Sequence, residues 1–405
     1  MKKIIVIIFL SLLWLNVLGQ ENKRIVRGFN VQMENDMFSG MIGVRNMDKD
    51  YSGGFHIEIF TDYLNRGFLG LWRNRKEQRD IDSIGYLNLN SIYFQGMGFT
   101  PDRDQFSQST PTAGSRPYAS LIGFGFRRVA LWTRNTLERG SFFRDHPFAI
   151  ETDIFVGSIG SEGPGNFQNW IHEHISESDP VEGWESQIAN GGRPALKYRT
   201  EVTYTAWQRI PKKIGWFRNP LNLYLKAHGT VGNIFFNAGG ALAISTRNLA
   251  ATSVNTALPS NKFAGENALR NQKRRINDHN QQLRLNNDKD LIEDRDSDII
   301  PETQKFKLTF EAYVAPQYVK RNTLLQGYPS HDNSDYKIPS SEVKKMVYDI
   351  GAKVVASGPG MGGKQPDGSH TSHTILYLEI VRRSKEFNTH QSHTFVNVGL
   401  MYFFF

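Results

Sequence analysis

The sequence predicts an all-β protein: a transmembrane, antiparallel, up-and-down β-barrel of about twelve strands, with a short helix in an extracellular loop. Three observations lead there. The chain opens on an export signal, segments of alternating apolar and polar residues recur along its length, and the final segment runs to a terminal phenylalanine.

The opening "MKKIIVIIFLSLLWLNVLGQ" has a basic start, an apolar centre and a small-residue exit at Gly19. It reads as a signal peptide over 1–19, leaving 20–405 as the mature chain. Its apolar run is short for a spanning helix, and no other stretch approaches the roughly 20 apolar residues such a helix needs. Mean hydropathy is −0.46, which by itself suggests a soluble secreted protein. The absence of cysteine excludes disulfide staples and thiol chemistry. A length of 405 residues would ordinarily suggest two or three soluble domains, yet no clear linker divides the mature chain. Aromatic residues reach 12% and there are 36 glycines, a balance that suits an exported barrel. The net charge of +8 fits an anionic surface or ligand such as a phosphorylated lipid, and export argues against nucleic acid.

The elements follow in order. In the first strand Phe29, Val31, Met33 and Met37 share one face, and Asn30, Gln32, Glu34 and Asp36 the other. In the second, Phe55, Ile57, Ile59 and Tyr63 oppose His56, Glu58 and Asp62. Similar alternation predicts strands near 86–99, 118–131, 147–158, 194–210, 220–232, 235–247, 305–320, 343–356, 373–385 and 391–405. That makes about twelve, an even number as in closed bacterial barrels, and each is long enough to cross a bilayer when tilted. The last, "THQSHTFVNVGLMYFFF", is an amphipathic strand ending on Phe405 and favours a membrane barrel over a soluble sandwich.

Two regions break the pattern. Residues 249–304 are polar and charge-mixed and read as a loop insertion, with Lys273, Arg274 and Arg275 a solvated patch. The stretch 160–188 has helical spacing, with Phe167, Trp170, Ile171 and Ile175 on one face and His172 in the same turn.

With both termini on the periplasmic side, odd-to-even connections face outward. "ENDMF" then ends strand one, "DYSGG" opens strand two, "GMGFTPD" ends strand three and "SRPYAS" opens strand four. The His172 helix joins strands five and six, so all five clusters fall at one rim. Asn35 and Asp36 beside a glycine-rich turn suit an oxygen-ligand site for a hard cation such as calcium. No EF-hand is present, and His172 and His174 are two apart, which is not a same-face helical pair for zinc. Ser52 lacks a G-x-S-x-G elbow, so attack by water fits better than an acyl-enzyme. His172 would deprotonate the water, and the cation with Asn35 and Ser52 would stabilise the oxyanion of an ester carbonyl.

At these residues the sequence resembles the LpxR-type lipid A 3′-O-deacylases of Gram-negative outer membranes. The resemblance runs through most of the mature chain, on "ENDMF", "DYSGG", "YFQGMGFTP", "SRPYAS", "GSIGSEG" with "FQNWIH", "GWESQI", "TLLQGY" and "YFFF". It implies a twelve-stranded outer-membrane barrel with calcium-dependent hydrolase activity on lipid A of the lipopolysaccharide layer, and the chain is expected to act as a monomer. Residue by residue, it implies His172 as catalytic base, Asn35 and Asp36 as catalytic and metal-binding, and Ser52 where the family has threonine. It also implies substrate contacts at Arg116, Tyr118, Gln168 and Gln187. The family's Asp-Arg-Pro-Tyr run is Ser115-Arg116-Pro117-Tyr118 here, so its acid is lost, and Arg103 is the nearest counterpart of a family lysine. The competing readings are a non-catalytic barrel, either a small porin or a surface structural protein, and an outer-membrane phospholipase.

Overall fold

Alternation with period two forces one face of each strand toward lipid and the other inward. A sheet so built has no free edge only when it closes. In the computed structural model it does close. The structure describes residues 26–35, 53–61, 87–101, 105, 107–132, 148–176, 180–209, 221–246, 307–330, 332, 334–359 and 372–404. Twelve strands follow one another around the wall: β1 (Val26–Asn35), β2 (Gly53–Thr61), β3 (Leu87–Phe99), β4 (Ala119–Trp132), β5 (Phe148–Ile159), β6 (Arg193–Arg209), β7 (Leu221–Gly232), β8 (Phe235–Ser245), β9 (Lys307–Asn322), β10 (Met346–Pro359), β11 (Ser372–Arg383) and β12 (His393–Phe404). Each pairs antiparallel with its sequence neighbour, and β12 closes on β1 through pairs such as Gly28 with Phe403 and Gln32 with Gly399. Residues 1–19, expected to be a signal peptide, and 249–304, expected to be a loop insertion, lie outside the described residues.

The two faces separate as the sequence demands. On β9, Glu311, Tyr313 and Gln317 are buried, whereas Leu308, Phe310, Val314 and Tyr318 face outward. On β1, Asn30, Gln32 and Glu34 point inward. An apolar outer band of this kind is stable only against hydrocarbon. Among the described residues no helix is long and apolar enough to cross a membrane.

The lumen is filled rather than open. Glu58 accepts hydrogen bonds from Ser91 (2.5 Å), Arg127 (3.1 Å) and Asn30 (3.3 Å). Asp153 accepts from Tyr93 (2.5 Å) and is paired with Lys197 (2.6 Å). Glu379 meets Asn397 (2.9 Å), Tyr313 (3.0 Å) and Lys353 (3.6 Å), and Arg383 grips Asp349 through two bonds of 2.7 and 2.8 Å. Buried charge persists only when paired in this way. Among the described residues a small cavity of about 40 Å³ is lined by Arg127, Glu151, Asp153, Lys197, Arg383 and Glu386. That holds a few waters and is far smaller than a porin channel.

Aromatic rings pack the same lumen by lying on glycines across the ladder. Tyr93 pairs with Gly125, Tyr313 with Gly351 and Tyr377 with Gly399. A Cβ on any of these glycines would fall 2.0–2.3 Å from the ring.

Candidate active site at the helix-bearing rim

The described connections from an odd to an even strand lie at one rim. There a helix, α1 (Glu162–Ile171), leaves β5, continues into a π turn (His172–Ser176), and is followed by a 3₁₀ turn (Gly183–Ser186) that leads back to β6. On the β9–β10 connection a single helical turn, α2 (Thr323–Gln326), occupies the same rim.

The position of α1 follows from its side chains. Phe167 meets Phe55 on the outer wall (centroids 5.6 Å), Phe55 meets Phe94 (5.5 Å), and Phe94 meets Phe124 (4.9 Å). Phe167 also stacks on Trp170, and Trp170 on His174. The helix therefore lies against the lipid-facing side of β2–β4, and an aromatic strip runs down the wall beneath it. Phe124, at the far end of the strip, is 59% exposed. Asn169 ties the end of the helix segment to the returning chain: its Nδ2 donates to Val181 O (3.1 Å) and its Oδ1 accepts from Val181 N (2.9 Å).

The ladders bring the sequence clusters together. Glu34 pairs with Gly54, Gly54 with Met97, and Gly53 with Gly98. Gly98 is where the helix comes down: a Cβ there would sit 3.1 Å from the Trp184 ring and 3.6 Å from Gln168 Oε1. The upper end of β1, the first residues of β2, the glycines of β3 and the helix thus share one corner. Asp36 and Ser52, the residues next along from Asn35 and Gly53, lie outside the described residues, as does Arg103, and of Asn35 the backbone alone is described. The separation of His172 from Asp36 and Ser52 therefore lies outside the described residues. His172 follows the last residue of α1 and is half-buried.

The residues expected to touch substrate are placed as follows. Gln168 is half-buried over Gly98. Gln187 is fully buried, and its Oε1 lies 2.7 Å from Ser120 Oγ, which is also 2.7 Å from Ser161 O. Tyr118 is fully buried beside Trp184, and its hydroxyl reaches Gln105 O (3.0 Å). Arg116 is buried, with its guanidinium 4.4 Å above the Phe99 ring and its Nη1 2.6 Å from Glu386 Oε2. Burial alone would raise the Glu386 carboxyl, but Arg116 and Arg383 outweigh it and hold the group well below the usual carboxylate range.

Four buried polar atoms at this corner have no hydrogen-bond partner in the protein as described: Gln168 Oε1, Trp184 Nε1, Gln187 Nε2 and Ser161 Oγ. Orphan donors and acceptors are rare in folded interiors, so each is a place for water or for a polar group of a ligand. Trp184 was not singled out by sequence. Its signal was present in "GWESQI", where an aromatic sits among polar residues outside any strand.

A family model described as "Outer membrane protein LpxR" matches residues 5–404. The chain belongs to the LpxR family. Among solved structures, LpxR from Salmonella typhimurium is similar over 93% of this chain and 100% of its own, with a TM-score of 0.58 and 15% identity, a likeness that shows the fold. Two other outer-membrane barrels align weakly. BamA from Haemophilus ducreyi lacking POTRA domains 1–3 has a TM-score of 0.29 and 6% identity, covering 93% of this chain and 70% of that one. The channel DcaP of Acinetobacter baumannii has a TM-score of 0.23 and 8% identity, covering 94% and 96%. No curated protein matches the sequence. An LpxR-family outer-membrane barrel of twelve strands with a short helix at one rim is what the sequence led us to expect.

Proposed function

We propose that this protein is an outer-membrane lipid A deacylase that hydrolyses the 3′-linked acyloxyacyl ester of lipid A. The observation that carries the reading is the corner itself, in a chain of the LpxR family. There α1 and Trp184 press on Gly98, which is paired to Gly53 at the start of β2. A lipid approaches such a corner from the membrane side. Its acyl chain would lie along the strip Phe167–Phe55–Phe94–Phe124, and its polar head would reach the rim.

The chemistry assigned to the chain is general-base hydrolysis. His172 takes a proton from water as the water oxygen attacks the ester carbonyl. The bond between the acyl carbon and the 3′ oxygen of the sugar then breaks. His172 returns the proton to the departing sugar oxygen, leaving a free acid and a free hydroxyl. Asn35 and Asp36 would offer oxygen donors, which suit calcium rather than a transition metal, and Ser52 would help to stabilise the oxyanion. When bound, calcium would stabilise the developing oxyanion as a Lewis acid. Gln187 Nε2 and Trp184 Nε1 are donors available to substrate oxygens, and Gln168 Oε1 is an acceptor.

The porin reading is disfavoured by the packed lumen. Mass spectrometry of lipid A from cells with and without the protein tests the proposal. Loss of the 3′ acyloxyacyl mass in expressing cells, abolished when calcium is chelated, is expected. Unchanged lipid A with changed phospholipids would move the assignment to phospholipase.

A further inference from the structure

At the same rim, two buried side chains of the β11–β12 connection converge with a third at the start of β12. The ligand-capable atoms of Glu386, His390 and His393 all lie within 4.8 Å of one another. We propose that they form a binding site for a transition-metal dication of the zinc class, distinct from any oxygen-ligand cation at the α1 corner.

The chemistry of the donors sets the class. Two imidazoles and one carboxylate suit zinc, cobalt or nickel, whereas calcium takes six to eight oxygens.

The second layer of contacts fits as well. Arg116 Nη1 holds Glu386 Oε2 at 2.6 Å, leaving Oε1 for a metal, as outer hydrogen bonds commonly orient ligating carboxylates. His390 stacks on Phe387 (centroids 4.5 Å) and lies beside His393 (5.2 Å), which fixes both ring planes. The Glu386 backbone N–H donates to His390 Nδ1 (3.1 Å). A metal at Nδ1 displaces that N–H. A metal at Nε2 requires the proton to move to Nδ1, which also releases it. Binding therefore frees the Glu386 amide in either case. A metal here would pin the β11–β12 connection and, through Arg116, the β3–β4 connection.

The test uses the full-length barrel in detergent, stripped of metal by chelation and titrated with cobalt(II). The expected result is one ion per chain with the visible absorption of a four-coordinate site, displaced by zinc and not by calcium. His393→Gln should weaken binding at least tenfold, and His174→Gln, which alters a different histidine, should not. X-ray absorption of the wild-type zinc form should show two imidazoles and at least one oxygen, which keeps the idea testable if His393→Gln does not fold. Absence of saturable cobalt or zinc binding, equal binding by the two variants, or a scattering shell without imidazole overturns the site. None of these readouts depends on deacylation, so the proposal and the enzymatic reading fail separately.

Discussion

At the residue scale the sharpest question is what His172 does. If it is the base, His172→Ala leaves a folded, heat-modifiable barrel and lowers deacylation by about a hundredfold to ten-thousandfold, the usual worth of one acid–base side chain. Ser52→Ala should lose less, because water and not the hydroxyl attacks. Trapping an acyl group on Ser52 would reverse that order. Asn169 offers a second residue-level test. Its reciprocal pair with the Val181 backbone closes the loop that carries His172. Asn169→Ala leaves two backbone groups without that partner, at about 1–3 kcal/mol if they stay buried. Faster amide exchange confined to the loop around 181, with the strands unchanged, is the expected signature.

At the element scale the barrel depends on tyrosines laid over glycines of the next strand. A Cβ at Gly125 would fall 2.0 Å from the Tyr93 ring, which also bonds Asp153 and cannot readily move. Gly125→Ala should therefore destabilise by about 1–3 kcal/mol, the usual range for overpacking. Gly229→Ala is the matched control, since nothing lies within 4 Å of the Cβ it would add. The temperature at which the folded band disappears in unboiled gels should fall for the first and hold for the second. Equal behaviour would mean that the rings adapt and the glycines serve some other purpose.

At the scale of the whole molecule the filled lumen separates this barrel from a channel. Planar-bilayer recordings should show no steady porin-like conductance. The lumen charges are also coupled in pairs. Lys226 and Glu311 are both fully buried at 3.5 Å. Lys226→Met strands the Glu311 carboxylate, and removing one partner of a buried pair costs about 3–5 kcal/mol. Adding Glu311→Leu should recover most of that loss. If the double variant is no more stable than the single, the pair is not what holds this part of the lumen.

Much of the architecture was legible beforehand because a strand's faces are read directly from period two. Phe55, Ile57 and Ile59 had to face away from His56 and Glu58, and a chain with twelve such segments and an aromatic end has few ways to bury them. The rim location of α1 was legible for the same reason, since counting strands places the β5–β6 connection. The lumen partners were not. Glu58 with Arg127, or Lys353 with Glu379, depends on the register between strands and on which side chains reach across the barrel. Nor did alternation point to Trp184, or to the cluster that Glu386 and His390 make with His393 at the start of β12, because Trp184, Glu386 and His390 sit in connections where no periodicity constrains direction. Sequence alone determined which residues face lipid and which rim carries the helix, because those follow from local stereochemistry and strand parity. Tertiary closure decided which buried groups meet, because a contact between residues as far apart as Arg116 and Glu386 exists only once β12 has found β1.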